Sequence, residues 1–214
     1  MCWNKEISLN TFLFSSFVLG LIIYNNRYTK YKIDDLNSVW IYVFFMSFIL
    51  MQLFEFFIWR NINNSIYNGV FTILATLLLL VQPIATNMLI TNKSVQQNML
   101  MIYLICMVPF ATYKFMTKKI HSTVSDMGHL QWNMLLDYKN KEDPVIAIFW
   151  GLFFLFPLFY ERNIFGFLFG TITLFIVIYN YYKDNTIGSM WCWVVNSIMI
   201  YYAVYLLFYL PFFK

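Results

Sequence analysis

The chain has 214 residues, of which 61% are hydrophobic, 22% aromatic and only 11% charged, with a formal net charge of +4. Soluble domains carry roughly a quarter of charged residues, and so few charges cannot clothe a chain this rich in Phe and Tyr in water, which excludes an ordinary soluble protein. The basic residues are dispersed between apolar runs and form no strip that follows a phosphate backbone, so nucleic acid is not a supported partner and the lipid bilayer is the expected one.

A membrane-crossing helix needs about 20 mostly apolar residues, each rising ~1.5 Å across ~30 Å of hydrocarbon. In chain order, Ser8 to Tyr24, Ser38 to Trp59, Gly69 to Ile90, Met99 to Met116, Val145 to Tyr160, Ile164 to Tyr182 and Thr186 to Phe212 approach that length. Lipid offers open backbone groups no partner, so such runs must be helices, and the lack of period-two alternation argues against a β-barrel. The expectation is an all-α, polytopic membrane protein: a single domain forming a seven-transmembrane-helix bundle, with both termini on opposite sides.

The first run resembles a signal peptide only in length. Glu6 interrupts the expected basic leader, and Asn25, Asn26 and Arg27 follow without a small-residue cleavage pattern. Most connections are short, so successive helices are antiparallel neighbours. The fourth, from about Thr117 to Pro144, is long enough to carry structure of its own. Its apolar His129 to Leu136 stretch is expected to lie on the membrane surface or dock as a plug. The side of the N-terminus holds Lys5, Arg60, Lys114, Lys118, Lys119, Lys139, Lys141 and Lys183, and the opposite side Arg27, Lys30, Lys32, Lys93, Arg162 and Lys214. That bias points to a cytoplasmic N-terminus.

Polar residues inside the apolar runs carry the functional information. Glu55 is an acid within the second run, where charge at a helix centre costs about 2.5–3.5 kcal/mol. It precedes Arg60 by five residues, about 7.5 Å along the axis, and so sits toward the N-terminal side of the membrane. Ser47, Met51, Glu55 and Trp59 follow four-residue spacing with Gln52 alongside, a stripe that should face protein. Two roles fit Glu55: a proton or cation site, because desolvation disfavours its charged form, or a structural carboxyl bonded to neighbouring helices. The third run adds Thr72, Thr76, Gln82, Thr86 and Asn87. Folding back through the short link brings Thr72 and Thr76 to the depth of Glu55, and Gln82 to that of Ser47. Pro83 removes a backbone donor and frees the Leu79 carbonyl, which then needs a side chain or water. In the last run Trp193, Asn196, Ser197, Tyr201 and Tyr205 share one helical stripe, expected to close the bundle opposite Glu55. Gly166 and Gly170 form a small-residue face that permits close helix approach.

Other residues exclude chemistries. Cys2, Cys106 and Cys192 lie far apart without CxxC spacing and read as small buried hydrophobes. His121 and His129, with Asp126 and Asp137, lack ligand-type spacing, so no metal and no cofactor are assigned. The last run holds no lysine for a retinal Schiff base, and there is no HExxH pattern and no embedded Ser and His pair. No catalytic residue emerges.

The segment Met51-Gln52-Leu53-Phe54-Glu55-Phe56-Phe57-Ile58-Trp59, then Asn68, Gln82-Pro83 and Asn87, with Gly128-His129-Leu130-Gln131-Trp132, resembles uncharacterised seven-helix membrane proteins of large DNA viruses, algae and fungi. The resemblance covers the second and third helices and the fourth connection, and implies the fold and a host-cell or virion membrane, but no activity. The leading functional expectation is a channel- or transporter-like protein that moves an ion or small polar solute. Its path would run along Gln52, Glu55, Thr76, Gln82, Asn87, Asn196 and Tyr201. The alternative is a structural or interaction protein of a cellular or virion membrane, in which those groups fasten helices together. An enzyme ranks third.

Overall fold

The computed structural model describes residues 4–118, 120–133 and 143–213. Cys2, Lys119, the Met134 to Asp137 part of the fourth connection, Lys139, Lys141 and Lys214 lie outside the described residues. Seven helices dominate: α1 (Lys5–Tyr28), α2 (Val39–Arg60), α3 (Ser65–Asn87), α4 (Lys93–Thr117), α5 (Asp143–Tyr160), α6 (Ile164–Tyr181) and α7 (Ile187–Phe213). Six of these are long and apolar enough to cross a membrane, and the apolar part of α5, Pro144–Tyr160, is shorter.

Asparagine sets several of the boundaries. Asn4, Asn64, Asn92 and Asn163 each accept a bond from a first-turn backbone N–H, which satisfies donors that the helix itself cannot. The polar first turns next to these caps explain why α1 and α4 begin before the apolar runs do.

α2 lies at the centre of the bundle. It packs against α1 on one side and α3 on the other, α3 continues to α5, and α5 to α6. The first half of α7 joins α6 back to α2, and its second half lies on α1. α4 stays at the periphery, leaning on α3 and stacking Tyr103 on Phe149 of α5. Lys114 belongs to its last turn, where the ammonium lies 5.4 Å from the Phe110 ring centre.

The long fourth connection adds what the helical reading lacked: an antiparallel hairpin of β1 (His121–Val124) and β2 (Leu130–Asn133). Ser125 and His129 bracket a tight loop in which Gly128 takes φ 79°, a conformation a side chain would resist. The hairpin docks on α3 and α7. Leu130 and Trp132 are buried there, so the described part of the His129 to Leu136 stretch is a strand held in the bundle.

Candidate functional site

The polar positions of α3 fall on one stripe, and it is the stripe that α3 turns inward. Asn68, Thr72, Thr76, Gln82, Thr86 and Asn87 are all buried, as are Ser47, Gln52 and Glu55 of α2. Burial of this many polar groups is tolerable only if they are bonded. The two helices meet in the register expected from their short link: Gln82 Nε2 donates to the Ser47 carbonyl at 3.4 Å. Gln52 Nε2 donates to Glu55 Oε2 at 2.8 Å, an amide to carboxylate contact sealed from solvent.

Pro83 has the consequence anticipated for it. The Leu79 carbonyl, deprived of its usual donor, accepts from Trp150 Nε1 of α5 at 2.9 Å, and the neighbouring Leu80 carbonyl accepts from the Tyr103 hydroxyl of α4 at 2.8 Å. The proline thus creates an attachment point for α5, and the Tyr103 bond ties α4 to the same turn.

α7 departs from regular helix at the same depth. Its backbone N–H groups at Asn196, Ser197, Met199 and Ile200 bond three residues back, a tightened stretch that takes the Asn196 N–H away from the Cys192 carbonyl. The Asn196 side chain replaces it: Nδ2 donates to Cys192 O at 2.8 Å and to Phe48 O of α2 at 3.2 Å. Asn196 therefore packs on α2 at the level of Ser47. α7 closes the bundle directly against the Glu55 helix, not opposite it. Cys192 is buried, whereas Cys106 is exposed on α4, which departs from the reading of the cysteines as buried.

Of the path residues, Gln52, Glu55, Thr76, Gln82, Asn87 and Asn196 lie inside the bundle, and Tyr201 does not. Its ring is 48% exposed, stacked on Tyr205 along the outer face of α7. Gln52 Oε1, Asn87 Oδ1 and Asn196 Oδ1 are buried acceptors with no hydrogen-bond partner among the described residues. Several others are already satisfied by helix carbonyls: Thr76 Oγ1 donates to Thr72 O at 2.7 Å, and Asn87 Nδ2 to Pro83 O at 2.8 Å.

The hairpin covers one end of this column. Asn68 Nδ2 donates to Ser122 O at 3.0 Å while Ser122 N donates to Asn68 Oδ1 at 2.9 Å, so one amide serves both polar groups of a strand residue. Thr72 and Ser122 pair their hydroxyls at 2.9 Å, and Ser189 Oγ of α7 donates to Leu130 O at 2.6 Å. Trp132 lies so close to Gly188 that a Cβ there would meet its ring at 3.1 Å. At the hairpin loop, Ser125 Oγ donates to Asp184 Oδ2 at 2.7 Å, and His129 meets the ring of Tyr181, the last residue of α6, edge-on. Burial pushes the His129 imidazole below its ordinary value, against the opposing pull of Asp184. This cap was the part of the site that sequence reasoning missed. Its signals were Gly128 between two short polar and apolar alternations, and Asn68 one turn before Thr72.

No three His, Cys, Asp or Glu side chains gather as a metal site among the described residues. Comparison with family models, with curated proteins and with solved structures returns no match.

Proposed function

We propose that this chain is a seven-span integral membrane protein, channel- or transporter-like, that carries an ion or small polar solute along the buried column between α2, α3 and α7. One observation carries the reading: Glu55, fully buried and bonded to Gln52, lies on the same buried face of the bundle as the break in α7 at Asn196, about 10 Å along α2 from the Phe48 carbonyl that Asn196 bonds. Acids enclosed in apolar bundles, and helices interrupted beside them, are features by which membrane proteins handle protons and cations. Gln52, Thr76, Gln82, Asn87 and Asn196 extend the column on either side, and the hairpin caps it. In this arrangement the column is occluded, so transport requires the hairpin or α7 to shift. Tyr201, on the outer face, is left out of the path. The seven spans put the two termini on opposite sides of the bilayer, which protease protection of tags at each end tests: protection on the same side overturns the topology.

The expected outcome is uptake of a proton or small cation into proteoliposomes under an imposed gradient, with Glu55→Gln losing most of it. Glutamine keeps the shape and much of the hydrogen bonding while removing the charge. Wild-type rate and pH dependence in Glu55→Gln would refute the role of this carboxylate.

A second reading has its own support. Thr76, Thr86, Asn87 and Asn196 all bond helix carbonyls, as groups that only fasten helices do. A structural or interaction protein of a cellular or virion membrane needs nothing more. It predicts no flux under any gradient and a Glu55→Gln protein that differs only in stability.

A further inference from the structure

A cavity of about 660 Å³ opens between α5 and α6, with α7 and one turn of α3 as its floor. That volume falls within the ~300–1,000 Å³ of small-molecule sites. Its floor is the pair Trp150 and Trp191, set edge to face at 5.6 Å, together with Leu79 and Cys192. Both indole N–H groups are already engaged, Trp150 with Leu79 O and Trp191 with Thr173 Oγ1, so neither offers a donor to a guest. Thr171 Oγ1 is the lining hydroxyl without a partner among the described residues. A polar solute would find almost nothing to bond here.

The shape is as selective as the chemistry. α5 and α6 touch where Leu155 Cδ2 lies 2.9 Å from the position of a Cβ on Gly170, and again where Phe159 and Phe167 pack with centroids 5.3 Å apart. Away from that closed end they part, and a Cβ on Gly151 would meet nothing within 4 Å. From Phe159 to Pro144 the cleft runs about 22 Å along α5 at ~1.5 Å per residue. A second helix, ~10 Å across, is too wide for a slot whose walls meet at one end. The outer lips are Ile148, Leu152 and Phe175, all more than half exposed, so the slot is continuous with the surface that faces hydrocarbon.

We propose that this cleft is a binding site for one acyl chain of a bilayer phospholipid, inserted lengthwise between α5 and α6 with its tip on Trp191 and Cys192. The assignment rests on the membrane reading above but not on transport.

The test uses the full chain in phosphatidylcholine vesicles doped with phosphatidylcholine that carries a photoreactive diazirine in one acyl chain. Adducts are mapped by peptide mass spectrometry after flotation. The expected result is labelling of the buried floor, Leu79, Trp191 and Cys192, beyond what their exposure allows. In Gly151→Trp, whose ring fills the open space, floor labelling falls about tenfold while the exposed Ile105 of α4 is labelled as before. If Gly151→Trp fails to fold, Gly151→Leu is read in the same way. Adducts spread in proportion to exposure, or floor labelling that survives in the folded variant, would overturn the site. So would a diazirine sterol that labels the floor and displaces the phospholipid chain. If the protein does not float with the vesicles, the membrane reading falls together with this site. If it floats and the floor stays unlabelled, only the site falls.

Discussion

The bundle contains two helical hairpins with turns of similar length, α2–α3 and α5–α6, that use their inner faces in opposite ways. In α2 and α3, 44% of the most apolar window is buried, and the contact carries Ser47, Gln52, Glu55, Thr72, Thr76 and Gln82. In α6 only 17% is buried, and the face toward α5 is apolar enough to leave an open cleft. The difference shows what holds helices together when the surroundings are themselves hydrocarbon. Apolar faces gain little by leaving lipid for protein, so polar side chains and close small-residue contacts decide which helices bind. Gln82 of α3 bonds the Ser47 carbonyl of α2, whereas α5 and α6 meet through apolar contacts, where Gly170 admits Leu155 and where Phe159 packs on Phe167.

The largest expected effect on this contrast comes from stripping the polar side of its best-connected amide. Asn68→Leu strands both the N–H and the carbonyl of Ser122 in a buried setting, each costing about 1–3 kcal/mol. The hairpin should detach first, visible as fast amide exchange in residues 121–133 together with a lower unfolding temperature in detergent. Unchanged exchange there would show that the hairpin is held by its apolar contacts with α7 instead.

A smaller effect isolates the bond between the two hairpins. Trp150→Phe keeps a ring but leaves the Leu79 carbonyl without a donor, a loss of about 1 kcal/mol. Pro83→Ala returns a backbone donor to that carbonyl. In the Pro83→Ala background Trp150→Phe should therefore cost measurably less, and a double-mutant cycle of thermal stabilities reads the coupling. Strict additivity would mean that the indole contributes only packing.

The smallest effect is that of pH on the cap. The folded His129 imidazole lies below its ordinary value because burial disfavours the cation. The unfolded chain therefore binds the proton more readily, and stability is full above the ordinary imidazole range and declines as pH falls through it toward the folded value. Asp184 opposes the shift and keeps the effect modest. Exchange protection of the hairpin should weaken between neutral and mildly acidic pH, and His129→Gln should flatten that dependence.

The α2–α3 contact was legible in the sequence because polar residues inside an apolar run have few acceptable places to go. Counting residues from the short link was enough to pair Gln82 with Ser47 and to leave Leu79 in need of a donor. Which donor could not be read, since Trp150 and Tyr103 reach those carbonyls across helices whose order around the bundle no local pattern encodes. The stripe assigned to the last helix failed for a local reason. Bonds from Asn196 to Ile200 tighten the winding toward 3 residues per turn from 3.6, and each tightened residue rotates the remainder of α7 by roughly 20°. Tyr201 therefore emerges on the outside, and a further wide turn over Tyr205–Tyr209 shifts the phase again beyond it. The hairpin escaped because its strands are four residues each, too short for alternation to stand out beside a tryptophan and several leucines.

The helices also differ in length, which bears on the bilayer around them. α4 has 25 residues and α1 has 24, about 37 and 36 Å of rise, whereas α6 has 18, about 27 Å. A hydrocarbon layer of ~30 Å would be over-spanned at α1 and at α4 and under-spanned at α6. In a bilayer, lipid beside α6 would thin or its flanking residues would reach outward, while α1 and α4 would relieve their excess by tilting or by extending their polar first turns into the headgroups. In a bilayer the annulus around the proposed bundle would therefore be thinnest beside α6, where the α5–α6 slot opens.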